Sequence, residues 1–261
     1  MTNASPTNTG SPTGNPQWVY RFDELDAVEQ TVDGDWEAVR GVLGGKGANL
    51  AEMTRLGIPV PPGFVVSTRA CNAYDAAGGV MGDEVWDQVV AALRHLEEQT
   101  GKRFGDPERP LLVACRSGAK FSMPGMMDTV LDIGLNDEVV EAWASRPGQE
   151  RVALDSARRL VQMFGAVVLG VPDEPFEEIL AAARRARGVE DDAGLTAADL
   201  RRVIGEMREV VRRHGRGEVP PDPMTQLRMA IEAVFESWGG RRARDYRAAA
   251  GIPDDLGTAV N

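Results

Sequence analysis

Gly44-Gly45-Lys46-Gly47 has residue types that can hold an anion. Glycines let backbone N–H groups approach a negative charge closely, and a lysine adds a compact positive one. The run is not a Walker loop: only three residues separate Gly41 from Gly45, and Gly47 stands where Ser or Thr would be required. It also fails the GxGxxG pattern, because Leu50 occupies the last place. Taken alone it reads equally as a flexible turn before a helix. Arg116 is a second candidate. The apolar run Leu111 to Cys115 has the character of a central strand that delivers Arg116 at its end, into Ser117-Gly118-Ala119. A planar guanidinium at the mouth of a sheet can grip phosphate oxygens, the alternative being a structural ion pair. The third candidate is Ser122-Met123-Pro124-Gly125-Met126-Met127-Asp128-Thr129, which combines a Pro-Gly turn with two exposed-looking methionines that a plain connector does not need. Asp128 and Thr129 have the chemistry to hold a ribose, a phosphate or a metal-bound water; equally, they can end the turn and start a strand.

Other reactive side chains carry less. His95 and His214 lie on separate helix-like segments without spacing for a metal site or a triad, and read as surface or helix-end residues. Cys71 and Cys115 show no CxxC spacing, so neither a disulfide framework nor zinc is indicated, and both are expected to be buried thiols. No metal site is read from the residues present.

The elements that must position these candidates follow from periodicity. Residues 1–16 are almost all Thr, Asn, Ser, Pro and Gly and form a predicted disordered tail. Trp18 to Phe22 alternates as a strand, with Trp18, Tyr20 and Phe22 on one face. The glycine turn leads into a short helix carrying Leu50, Met53 and Leu56 and stopped by Gly57. Phe64 to Ser67 is a buried strand, Thr68 a cap for the next helix, and Val85, Val89, Leu93 and Leu96 mark another helix. Thr129 to Ile133 is a strand. From Asn136 onward helical periodicity dominates. Val152, Leu160, Val161, Phe164 and Val168 form one stripe. Leu200, Val203, Ile204, Met207, Val210 and Val211 form a second, opened by the capping box Thr196 to Asp199, and Leu227, Ile231, Val234, Phe235 and Trp238 form a third. All three read as core.

With 261 residues, 43% hydrophobic and 26% charged, the chain is an ordinary folded protein of one or two domains. Its formal net charge of -11 argues against general nucleic-acid binding. The basic clusters around Arg184, Arg212 and Arg241 read as solvated helix faces and last-turn dipole partners. No run is long and apolar enough to span a membrane, and residues 1–17 lack the features of a secretory signal, so the cytoplasm is the expected compartment.

Taken together, the order and wording of these segments resemble the start of pyruvate, phosphate dikinases, over about Trp18 to Asn261. The resemblance is carried by Leu43 to Met53, Ile58 to Thr68, Arg116-Ser117-Gly118-Ala119, Ser122 to Thr129 and Ile252 to Asn261, and by the place and length of the helical insertion. It implies an α/β (α+β) fold, the first lobe of an ATP-grasp nucleotide-binding domain with a helical insertion subdomain. The implied divisions are a lobe over 17–135, helical subdomain over 136–240 and a return segment over 241–261. It also implies that Lys46 and Arg116 contact the phosphates of ATP and stabilise the transferred group, with Gly45, Gly125, Asp128 and Thr129 completing the nucleotide pocket. Arg242 and Tyr246 fall on family-like positions and are read as structural.

The family's reaction converts ATP, phosphate and pyruvate to AMP, pyrophosphate and phosphoenolpyruvate, or the reverse, with magnesium, through a phosphohistidine on a swivelling domain that visits a pyruvate-binding barrel. Those parts, and the acidic magnesium ligands of a second ATP-grasp lobe, are not among these 261 residues. The chain alone is therefore expected to bind nucleotide weakly, not to turn over, and to self-associate through apolar surface that the second lobe would cover. A nonenzymatic ATP-binding or interaction module is the alternative from another class, and an antibiotic phosphotransferase a third, disfavoured by its need for the same second lobe.

Overall fold

The computed structural model describes residues 16–123 and 129–261. Among these, five strands form an antiparallel sheet in the order β1 (Val19–Arg21), β2 (Phe64–Val66), β7 (Ala259–Val260), β5 (Val113–Gly118) and β6 (Thr129–Ile133). A separate parallel pair joins β3 (Arg103–Phe104) to β4 (Pro110–Leu111).

Side chains alternate across a strand, and this sheet is buried on both faces. Tyr20, Val65 and Ala259 enter one core with Val39, Val42, Leu43, Ala48 and Ala51, under α1 (Leu25–Thr31) and α2 (Trp36–Arg55). Val19, Val66, Cys115, Val130 and Val260 enter the other. That second core is covered by α3 (Thr68–Ala76), α4 (Asp83–Thr100), α6 (Glu150–Val167) and α9 (Pro223–Trp238). Strands buried on two sides explain why Val and Tyr occupy consecutive positions instead of alternating with polar residues.

The helical region comprises α5 (Asp137–Ala144), α6, α7 (Asp173–Arg187) and α8 (Ala197–His214), with α6 packed on α5, α8 and strand β6. Asn136 caps α5, and Thr196 with Asp199 forms a complete capping box on α8. Arg184, Arg185 and Arg187 occupy the last turn of α7, and Arg212, Arg213 and His214 that of α8, where a helix dipole favours positive charge. Arg241 instead opens α10 (Arg241–Ala250) and pairs with Asp245 one turn on. Buried Arg247 stacks 3.9 Å over the Trp238 ring, donates to the Trp238 carbonyl at 2.6 Å and pairs with Asp254 at 2.7 Å. This clasp turns the chain back from α10 toward β7.

Several local expectations are revised. The apolar run before Arg116 is split between β4 and β5, so Arg116 sits within a strand and not at its end. The glycine turn does not precede a short helix but kinks a long one. Met53 and Leu56 are exposed, because α2 packs through Gly47, Ala48 and Ala51, and Val152 is exposed at the start of α6. Ser67, not Thr68, is the N-cap residue of α3, with no side-chain cap bond. Trp18 packs against the core opposite to that of Tyr20 and Phe22. Residues 1–15 of the predicted tail lie outside the described residues.

Candidate functional site

The kink in α2 is at Gly44, with φ 69° and ψ 163°, a region open in practice only to glycine. A Cβ there would lie 1.5 Å from the Gly118 carbonyl oxygen. At Gly47 a Cβ would lie 2.6 Å from Asn261 Oδ1 and 2.8 Å from Val65 Cγ2. These two glycines therefore let the resumed helix start directly against the sheet. The break also redistributes hydrogen bonds. The Gly45 N–H, which a continuous helix would aim at Gly41, donates to the Ala119 carbonyl at 3.0 Å. The Gly41 carbonyl is then satisfied by the Thr68 hydroxyl at 2.7 Å.

This geometry brings Lys46 against β5, where its ammonium donates to the Ser117 carbonyl at 2.7 Å. Arg116 precedes Ser117 on the strand and points away from the core that holds Cys115, toward the α2 side. Its exposed guanidinium has no ion-pair partner among the described residues. Thr129 stands directly opposite Arg116 on β6. On the other side Asn261 exchanges both backbone hydrogen bonds with Arg116, at 2.8 and 3.0 Å. Lys46, Arg116, Thr129 and Asn261 thus share one patch of the sheet face.

Burial, and then the nearby positive charge of Arg116, hold the Lys46 pKa below the usual lysine value. Two cations placed together, with no carboxylate of the described residues paired to either, form a site that gains by taking up an anion. The adjoining cations differ. Glu37 pairs with Arg40 at 2.9 Å and Lys120 at 3.3 Å, and these two bonds hold its carboxyl below the usual range. Arg40 also donates to the Lys120 carbonyl at 3.3 Å. This triad, with Glu37 exposed and Arg40 and Lys120 half-buried, contributes little energy but ties the segment after β5 to the first half of α2.

Of the residues singled out from the sequence, Lys46, Arg116, Thr129 and Gly45 converge here, with the Gly45 N–H committed to Ala119. Gly125 and Asp128 lie outside the described residues. Gly47, read from the sequence as part of the glycine cradle, belongs to the same patch; Asn261 and Gly118 belong to it too and were not singled out as site residues, and only their contacts across the sheet reveal them. His214 ends α8 exposed, His95 lies on α4, and both cysteines are buried. Among the described residues no three His, Cys, Asp or Glu side chains converge as a metal-ligand cluster. A groove of about 640 Å³, between α5, α6 and α8, lies elsewhere. Its one buried polar side chain, Gln226, is fully engaged with Gly134, Leu135 and Pro220.

Residues 40–85 and 75–261 match the family described as pyruvate phosphate dikinase, AMP/ATP-binding domain. The pyruvate, phosphate dikinase of Clostridium symbiosum is 48% identical over 246 residues, 94% of this chain and 27% of that protein. The chloroplastic pyruvate, phosphate dikinase 1 of Oryza sativa subsp. japonica is 48% identical over 225 residues, 86% of this chain and 24% of that protein. The pyruvate, phosphate dikinase of Rhizobium meliloti (strain 1021) is 47% identical over 245 residues, 94% of this chain and 27% of that protein. The chain thus spans about a quarter of the length of the curated relatives it matches. With a mixed α/β fold, and with the family's match running over most of its length and across both Lys46 and Arg116, the chain belongs to the AMP/ATP-binding domain family of pyruvate phosphate dikinase.

Proposed function

We propose that the Lys46–Arg116 face holds the phosphate chain of ATP, and that this chain is the nucleotide-binding front of a pyruvate, phosphate dikinase. The observation that carries the reading is the convergence of two cations from different elements, neither neutralised by a carboxylate of the described residues. Phosphoryl transfer asks a protein chiefly for positioning and charge stabilisation. In that role Arg116 presents a planar fork able to take two phosphate oxygens, while Lys46, braced on Ser117, adds a point charge. Thr129 offers a hydroxyl beside them, and Gly45, Gly125 and Asp128 complete the pocket. The segment forms the first lobe of an ATP-grasp clamp, and the phosphoryl group passes toward a carrier histidine outside these residues, for interconversion of pyruvate and phosphoenolpyruvate in the cytoplasm. Magnesium accompanying the nucleotide draws its protein ligands from a second lobe.

The test is ATP titration followed by amide chemical-shift changes, which register weak binding. Lys46→Ala and Arg116→Ala should each weaken binding by about tenfold or more, since a charge-assisted contact is worth roughly 1.5–3 kcal/mol. Saturation curves for both variants that superimpose on the parent would overturn the assignment.

A further inference from the structure

Asn261 occupies the junction between the two cationic elements. Its backbone pairs with Arg116 in both directions, and its side-chain Nδ2 donates a third bond to the Arg116 carbonyl at 3.2 Å. The amide is also enclosed by glycines. A Cβ on Gly118 would lie 2.2 Å from Asn261 Nδ2, and the three atoms nearest to it all belong to Asn261. On the α2 side, a Cβ on Gly47 would strike Asn261 Oδ1. That oxygen is buried and accepts no hydrogen bond. An unsatisfied buried carbonyl is unfavourable, so the amide is held by its fit and its donor, not by full polar satisfaction.

We propose that Asn261 is a positioning residue which sets the separation of Lys46 and Arg116, its amide serving as the spacer between the Gly44–Gly47 turn of α2 and strand β5. The inference rests on the anion site proposed above. Asn261 touches the Arg116 backbone on one side and packs against Gly47, the neighbour of Lys46, on the other. Removing the amide leaves a gap under the helix start, through which the turn and the strand shift relative to one another. A displacement of about 1 Å in such a site is enough to reduce function by orders of magnitude.

The experiment is a mutant cycle of Asn261→Ala, Gly118→Ala and both together on the full chain. It is read by thermal unfolding, by ATP titration and by NMR titration of the Lys46 side chain. Asn261→Ala should weaken ATP about tenfold and return Lys46 toward ordinary lysine titration, because water enters the gap. Gly118→Ala alone should be worse, since its methyl meets the amide. The double variant should recover most of the loss, because the methyl then fills the vacated space. A merely structural role would lower stability without moving Lys46.

A folded Asn261→Ala with parental ATP affinity and parental Lys46 titration overturns the proposal, as does Gly118→Ala being equally harmful in both backgrounds. Should Asn261→Ala not fold, Asn261→Ser completes the same cycle, with the same two overturning outcomes. If Lys46→Ala and Arg116→Ala bind ATP normally while Asn261→Ala still shifts Lys46, the spacer stands and the anion assignment falls.

Discussion

The Lys46 ammonium leans on the backbone carbonyl of Ser117 at 2.7 Å, so the lysine is braced by the residue next to the arginine whose charge opposes it. A surface lysine would swing away from such a neighbour. Here the glycine kink holds the helix so close that the side chain has little room to do so, and the conflict is built into the fold.

That conflict predicts a trade between stability and binding. Lys46→Met keeps the apolar stem and removes a poorly solvated charge, so without ligand its melting temperature should rise by roughly 2 °C while the stabilisation given by added ATP disappears. The pH dependence follows from the depressed folded pKa. Between that value and 10.5 the unfolded chain binds more protons, so parental stability gains as pH rises through the interval. The variant lacks this gain, and the difference between the two should narrow toward pH 10.5.

Asp132 offers a second pH test. It is a non-glycine residue at φ 60°, a conformation that Asn tolerates well, and burial raises its pKa although the nearby Arg159 partly offsets this. Asp132→Asn should therefore stabilise the protein at neutral pH by roughly 0.5–1 kcal/mol in urea titrations. Because the folded pKa lies above the unfolded one, the parent's relative disadvantage develops as pH rises through the folded value. Well below pH 3.8 the Asp132 carboxyl is protonated in the folded and the unfolded parent alike, and the two curves should converge.

Two glycines of α2 should respond oppositely to the same substitution. Gly44→Ala meets both a forbidden dihedral and the Gly118 carbonyl, so a loss of about 3 kcal/mol or more is expected. Gly41 is helical with nothing within 4 Å of an added Cβ, and Gly41→Ala should be neutral or gain up to about 1 kcal/mol. Equal effects in denaturant melts would contradict the kink.

The thiols should be silent in the native state. Burial pushes Cys71 and Cys115 each up to about 12. At pH 8 only about one molecule in ten thousand carries a given thiolate, so a disulfide reagent should titrate neither cysteine until denaturant is added. Fast modification of the folded protein would mean that one of them reaches solvent.

Much of this fold was legible because long helices leave long patterns. The stripes of α8 and α9 need only periodicity, and the Thr196 capping box only its residue types. Lys46 and Arg116 could be picked out as candidates, since a cation among glycines and an arginine after an apolar run are unusual placements. What was hidden depends on distant contacts. A two-residue strand such as β7 is too short to show alternation, so nothing local marks Ala259–Val260 as a central member of the sheet. The same holds for Asn261, whose meaning comes from distant contacts, with Gly47, Gly118 and Arg116, the last of these 145 positions away in the chain. Gly44 looked like a loop glycine because a helix on both sides of a positive φ requires the sheet to complete it.

The placement of β7 bears on how the protein is made. Among the described residues it alone links β2 to β5, so β1–β2 and β5–β6 remain two unconnected ribbons with open edges until it arrives. A ribosome reaches it roughly 140 residues after finishing β5, on the order of ten seconds later at ordinary elongation rates. During that delay Lys46 and Arg116 have no common floor. The patch that unites Lys46 with Arg116 is therefore completed only after the whole helical region has been made, and nascent chains halted before residue 259 should carry sticky strand edges that chaperones recognise.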